Sequence, residues 1–276
     1  MRRFATPLRG ITDLGIVLIA LNAFLFWFSK FIGQRPEMAG LDFLLWLAAP
    51  AAFCALYLSL GRIWPSAGLM PKLKGQGAWF VFGLTLPMAL SGVLLLVNQV
   101  FGVVSLDPDL MASGVLIALA SLAGLFVKNI VEEFIFRGFL TGRFAHTVSA
   151  GLQGHLLTGV LWSLWHLVYW TALLPVGKIA EVSGLPMPLF VIVGCVALCL
   201  QSILLGELRL ITGSIWAGVV LHTMNNAIFA WLVAAQAVPH GNLKAILLTP
   251  IDLGLIYSGL MALIGVALWR RRLSGK

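Results

Sequence analysis

Apolar residues run along this chain in eight stretches, each of the length a helix needs to cross a bilayer core of about 30 Å. They are Ile11 to Ile32, Phe43 to Leu60, Ala78 to Val97, Ala112 to Leu140, Leu152 to Leu174, Leu189 to Leu205, Gly213 to Ala235, and Ile246 to Trp269. Helix breakers and polar residues separate them: Gln34-Arg35-Pro36, Pro65-Ser66, Pro71-Lys72, Asp107-Pro108-Asp109, Gly184 to Pro188, and Pro239-His240-Gly241. The pattern predicts an all-α polytopic membrane protein of about eight transmembrane helices. The first stretch has the basic start of a signal peptide, but its spanning length and lack of a small-residue cleavage site make it a retained helix. With no long linker or low-complexity segment, residues 1–276 read as one domain, and the lack of an internal repeat argues against a transporter built from inverted halves.

Composition sharpens this reading. The chain is 60% hydrophobic and only 10% charged, too little polar surface for a soluble globule. Its 18 Lys and Arg outnumber 10 Asp and Glu, with basic clusters at Arg2, Arg3 and Arg9 and at Arg270, Arg271, Arg272 and Lys276. These suit anionic lipid headgroups, and no basic solvated face is left for a nucleic acid. Cys54, Cys195 and Cys199 lie inside apolar runs without a C-x-x-C pair, as small core residues do. With eight spans both termini share a side. That side would collect Arg62, Lys72, Lys74, Arg137, Arg143, Arg209 and both basic ends, against Lys30, Arg35, Lys178 and Lys244 opposite. Retention of Lys and Arg in the cytoplasm therefore places both termini there.

Against this apolar background the fourth stretch stands out, with Lys128, Glu132, Glu133 and Arg137 in Phe126-Val-Lys-Asn-Ile-Val-Glu-Glu-Phe-Ile-Phe-Arg-Gly138. Ionisable groups are costly in lipid and mark function. Glu133 and Arg137 are four apart and pair on one helix face. Glu132, turned about 100° away, is less engaged by Arg137 and freer to act as a base. Lys128 is four residues before Glu132 and shares its face, where it either only balances charge or keeps the carboxylate ionised so that it can act as a base. The fifth stretch carries His166 in Leu161-Trp-Ser-Leu-Trp-His166; the seventh carries His222 and Asn226, four apart on one face. At 1.5 Å per residue, Glu132 lies about 12 Å in from Leu140, His222 about 14 Å from Gly213, and His166 about 21 Å from Leu152. All three fit within the cytoplasmic half of the membrane, around a polar cavity.

At these residues the sequence resembles the CPBP family of intramembrane proteases, which includes the type II CAAX prenyl endopeptidases and bacteriocin-processing and immunity proteins. The motif E-E-x-x-x-R is matched at Glu132, Glu133 and Arg137; F-x-x-x-H at His166, with Trp162 in place of phenylalanine; and H-x-x-x-N at His222 and Asn226. The Trp162 exchange reads as a change of aromatic bulk that leaves the chemistry in place. The likeness covers roughly residues 112–231, taken as the catalytic helices. It implies peptide-bond hydrolysis by water activated by Glu132 and His166, with His222 and Asn226 stabilising the oxyanion and Glu133 and Arg137 in support. It also implies a metal-independent mechanism without cofactor. The substrate is then a peptide or protein, lipidated, signal-like or membrane-embedded.

Two alternatives stay open on the residues. Two glutamates and two histidines could hold a catalytic zinc, as in a membrane metalloprotease, although H-E-x-x-H is missing. A non-enzymatic carrier, immunity or scaffold protein could use the charges as a relay or folding network; the completeness of all three motifs argues against it. Ser163, three residues from His166 and without a G-x-S-x-G elbow, is a poor nucleophile.

Overall fold

The computed structural model describes residues 7–33, 38, 40–71, 75–146, 151–174, 178–251 and 253–275. Arg2, Arg3, Gln34, Arg35, Pro36, Lys72, Lys74 and Lys276 lie outside them, as does the side chain of Lys178. Among the described residues the regular elements are all helical: α1 Pro7–Ile32, α2 Leu41–Gly61, α3 Gly77–Val100, α4 Pro108–Glu133, α5 Leu152–Val168, α6 Lys178–Ser183, α7 Met187–Thr212, α8 Trp216–Ala234, α9 Asn242–Leu248 and α10 Leu255–Leu273. Seven are long and apolar enough to cross a membrane, namely α1 to α5, α7 and α8. Large apolar side chains such as Ile16, Phe24, Val81, Leu96 and Leu116 point outward. That arrangement suits lipid, which solvates an apolar exterior and needs no polar face.

The eighth predicted span is not one helix. Pro250 and Gly254 fall inside it, and the helix breaks between Leu248 and Leu255. After the break α10 has a short apolar run before Arg270, Arg271 and Arg272. The two pieces still return the chain to the end from which it started. Leu248 O accepts from Asn98 Nδ2 at 2.8 Å, near the end of α3, whereas Arg272 at the end of α10 reaches Glu207 in the last turns of α7. The start of α1 lies at that second end too, with Gly10 packed against Tyr57 and Phe139. The turn after α2 and the end of α7 meet there, as Arg209 Nη2 donates to Ser66 O at 2.6 Å. Both ends of the described chain thus lie at one end of the bundle, the second reached through a broken helix.

Local sequence explains the helix that matters most. Asp107 caps α4 by accepting from the backbone N–H of Asp109 and Leu110, and Pro108 takes the first helical position, where no N–H is needed. The winding widens at Phe134, directly after the two glutamates, into a π-helix that continues to Thr141. In this stretch Thr141 Oγ1 bonds Phe136 O, five residues back. A second π segment, Tyr169–Leu173, continues α5 beyond His166. Such segments concentrate at functional sites because the wide turn re-aims the side chains around it.

α8 packs against both α3 and α4, α7 lies between α5 and α10, and α1 lies along α2 and α5. Gly218 permits the close approach of α8 to α4: a Cβ there would stand 2.8 Å from Glu133 Oε2. The predicted stretches Ala112 to Leu140, Leu152 to Leu174 and Gly213 to Ala235 therefore become neighbours around one interior.

Candidate active site

Glu132 and Glu133 have no exposed surface, and they face different partners. Glu133 takes Arg137, as the four-residue spacing predicts, with Oε1 3.1 Å from Nη1. The same oxygen lies 3.0 Å from His222 Nδ1, so Glu133 joins the first motif to the third. Glu132 is held by other partners than Arg137. Its Oε1 pairs with the Lys128 ammonium and its Oε2 accepts from Trp162 Nε1–H at 3.0 Å. His222 Nε2 lies 3.9 Å from Glu132 Oε2, so this imidazole stands between two carboxylates.

His166 is boxed by aromatic rings. Trp46, Trp162 and Trp165 meet it edge-on, with centroids between 5.0 and 5.7 Å, and Trp170 is tilted against it at 5.2 Å. Its Nδ1 lies 3.0 Å from Trp162 O. A proton donated there leaves the lone pair on Nε2, the form in which imidazole serves as a base.

Asn226 Nδ2 donates to Asn129 Oδ1 at 3.0 Å, and Asn129 Nδ2 donates to Thr223 Oγ1 at 3.3 Å. The Lys128 ammonium also reaches Asn129 Oδ1, at 3.1 Å. One cavity of about 350 Å³ collects Lys128, Trp162, His166, His222 and Asn226 on its wall, with Leu253 from the helix break closing part of it. The Glu132 carboxylate lies behind Lys128 and Trp162. Six predicted site residues on three helices are thus brought together.

Residues 112–228 match a family model described as type II CAAX prenyl endopeptidase Rce1-like. Over that stretch, less than half of its length, the chain is similar to this family. The matched stretch starts in α4, ends in α8 just past Asn226, and contains all three motifs. No curated protein and no solved structure matches the chain. Its seven long apolar helices make the chain a multi-pass membrane protein, and the match makes it similar, over that stretch, to CAAX-type endopeptidases.

Two members of the site escape sequence reasoning. Asn129 reads there as one polar residue among several, yet it ties Lys128, Thr223 and Asn226 together. Trp162 does more than fill space: the indole N–H reaches Glu132, which phenylalanine could not do. The substitution of tryptophan at the motif position was the available signal. Ser163 donates to Gly159 O and Cys195 O and is engaged at the α5–α7 contact. Among the described residues, no three His, Cys, Asp or Glu side chains are grouped so that they could hold a metal ion.

Proposed function

We propose that this protein hydrolyses a peptide bond within the membrane with a water activated by Glu132 and His166, and that His222 and Asn226 stabilise the oxyanion. The observation that carries the reading is the single cavity on which His166, His222 and Asn226 converge, with Glu132 bonded to its wall through Lys128 and Trp162. An intramembrane site also excludes bulk water, which strengthens every charge interaction within it.

In this scheme a water in the cavity gives a proton to the Glu132 carboxylate or to His166 Nε2, and its oxygen forms a bond to the substrate carbonyl carbon. The carbonyl oxygen becomes an oxyanion, met by donors from His222 and the Asn226 amide. The protonated base then returns the proton to the leaving nitrogen as the C–N bond breaks, releasing a carboxylate and an amine. Water reaches Glu132 when the Lys128 ammonium swings off Oε1 toward the cavity that its side chain already lines. Glu133 holds His222 in place, and Arg137 balances Glu133. The basic residues favour a cytoplasmic location for the bundle end at which both ends of the described chain lie.

The test is a comparison of membranes carrying the wild-type protein with membranes carrying Glu132→Gln, read by proteomics for peptides whose cleavage disappears. An amide of nearly the same shape cannot take the proton, so turnover of such a peptide by the purified variant should fall about 10²- to 10⁴-fold. Wild-type turnover in Glu132→Gln would sink the assignment. Dialysis against strong chelators should leave activity intact; loss restored by zinc would establish the metalloprotease alternative.

A further inference from the structure

Trp162 occupies the aromatic position of the second motif and is fully buried, yet it touches a residue of every motif. Its Nε1–H donates to Glu132 Oε2 at 3.0 Å. The Arg137 guanidinium lies over its ring, with Cζ 4.0 Å from the centroid. His222 meets the ring edge-on at 5.3 Å, and the tryptophan's own carbonyl lies 3.0 Å from His166 Nδ1.

These contacts differ in what phenylalanine could replace. A phenyl ring could support Arg137 and His222, and the backbone carbonyl is common to all residues. Only the bond to Glu132 needs an indole. The other grip on Glu132 comes from Lys128, whose ammonium sits on a flexible stem with three rotatable donors and fixes position poorly. An indole has one donor in one direction, on a ring with two side-chain torsions. Here that ring is held by Arg137 on its face and by His222, whose ring stands perpendicular to it.

We propose that Trp162 is a positioning residue for the hydrolytic step: its indole N–H holds Glu132 Oε2 toward His222 and keeps the carboxylate aimed when Lys128 moves away. This inference rests on Glu132 acting as the base. It makes the tryptophan a working departure from the motif, with a donor added where the motif has only a ring.

The experiment uses full-length protein in nanodiscs and a synthetic peptide spanning a bond that wild-type membranes cleave and Glu132→Gln membranes do not. Trp162→Phe should lower kcat about 10- to 100-fold, the scale of one hydrogen bond to a charged group, with KM and thermal stability close to wild type. Replacing Trp162 with 3-benzothienylalanine, which exchanges N–H for sulfur in the same outline, should give the same loss even if phenylalanine disturbs folding. In the Glu132→Gln background neither replacement should slow the residual reaction further. Wild-type kcat in the sulfur analogue, or an equal loss with and without Glu132, overturns the proposal. A kcat loss that tracks a fall in stability also overturns it, because that is ordinary packing. Failure of the Glu132 reading shows separately, as undiminished turnover in Glu132→Gln alone. One readout needs no substrate: the ¹⁵N-indole resonance of Trp162, assigned by its loss in Trp162→Phe, should shift in Glu132→Ala. An unmoved resonance removes the bond and the proposal with it.

Discussion

His222 Nδ1 lies 3.0 Å from Glu133 Oε1, so the third-motif histidine is oriented by the carboxylate next in sequence to the proposed base. The two glutamates therefore divide their duties between neighbouring helix faces. Glu133 also neutralises Arg137, which is 1% exposed and has no route to solvent. Glu133→Gln should lower both turnover and stability, the latter by about 3–5 kcal/mol, because it leaves a buried guanidinium without its partner. Glu132→Gln should affect turnover far more than stability, since Lys128 lines the cavity and can withdraw into it. Thermal unfolding in detergent, run beside the peptide assay, separates the two. Equal destabilisation by both substitutions would contradict this division.

Asn129 presents its carbonyl oxygen to Asn226 and Lys128 and its amide to Thr223. Asn129→Leu, close in volume but without polar atoms, should let the Asn226 amide turn and reduce kcat about 10- to 100-fold, somewhat less than deletion of an oxyanion donor. Asn129→Leu should add little to Asn226→Ala. Independent, multiplicative losses would show that Asn129 does not act through Asn226.

Membrane orientation can be decided with single cysteines in a background where Cys54, Cys195 and Cys199 are replaced. Arg143 would be a poor reporter: it is buried, with its guanidinium over Tyr57 and Phe139. His146 and Glu181 are exposed near opposite ends of α5 and its π extension. Cysteine at 146 should react from the cytoplasmic side and cysteine at 181 only from the other side. Labelling of both from one side would mean that α5 does not cross.

Away from the cavity, Glu207 is bound on one side by His155, at 2.7 Å, and on the other by Arg272, through two bonds of 2.7 and 2.8 Å. The trio joins α5, α7 and α10. Glu207→Ala should cost about 3–5 kcal/mol of stability by uncoupling α10, with turnover per folded molecule unchanged. A stability change below about 1 kcal/mol would show that α10 is held by its apolar packing alone.

The sequence made the helices and motif residues legible because lipid leaves few options: long apolar runs must be helical, and charges inside them must meet. Glu133 with Arg137 and Lys128 with Glu132 followed from spacing along one helix. What depends on a second helix could not be read, and so the hydrogen bond from Trp162 to Glu132 and the bridge of Asn129 to α8 were hidden. The break in the last span was visible as Pro250, Asp252 and Gly254, but the apolar runs on both sides concealed it. The π segments left no trace, because Phe134–Thr141 and Tyr169–Leu173 carry too few polar residues, Arg137 the one charge among them, for their winding to be counted.

The π-helix from Phe134 to Thr141 gives α4 slack in its register. Elsewhere along this helix, losing or gaining a residue would rotate everything beyond by about 100°. Within the wide stretch, one residue fewer can be absorbed by tightening to ordinary α winding, leaving the flanking turns in phase. Such a change would alter the angle between Glu133 and Arg137 while Glu132 stays on its face and Phe144 keeps its contacts. The length of this helix is thus most negotiable just beyond its two buried glutamates.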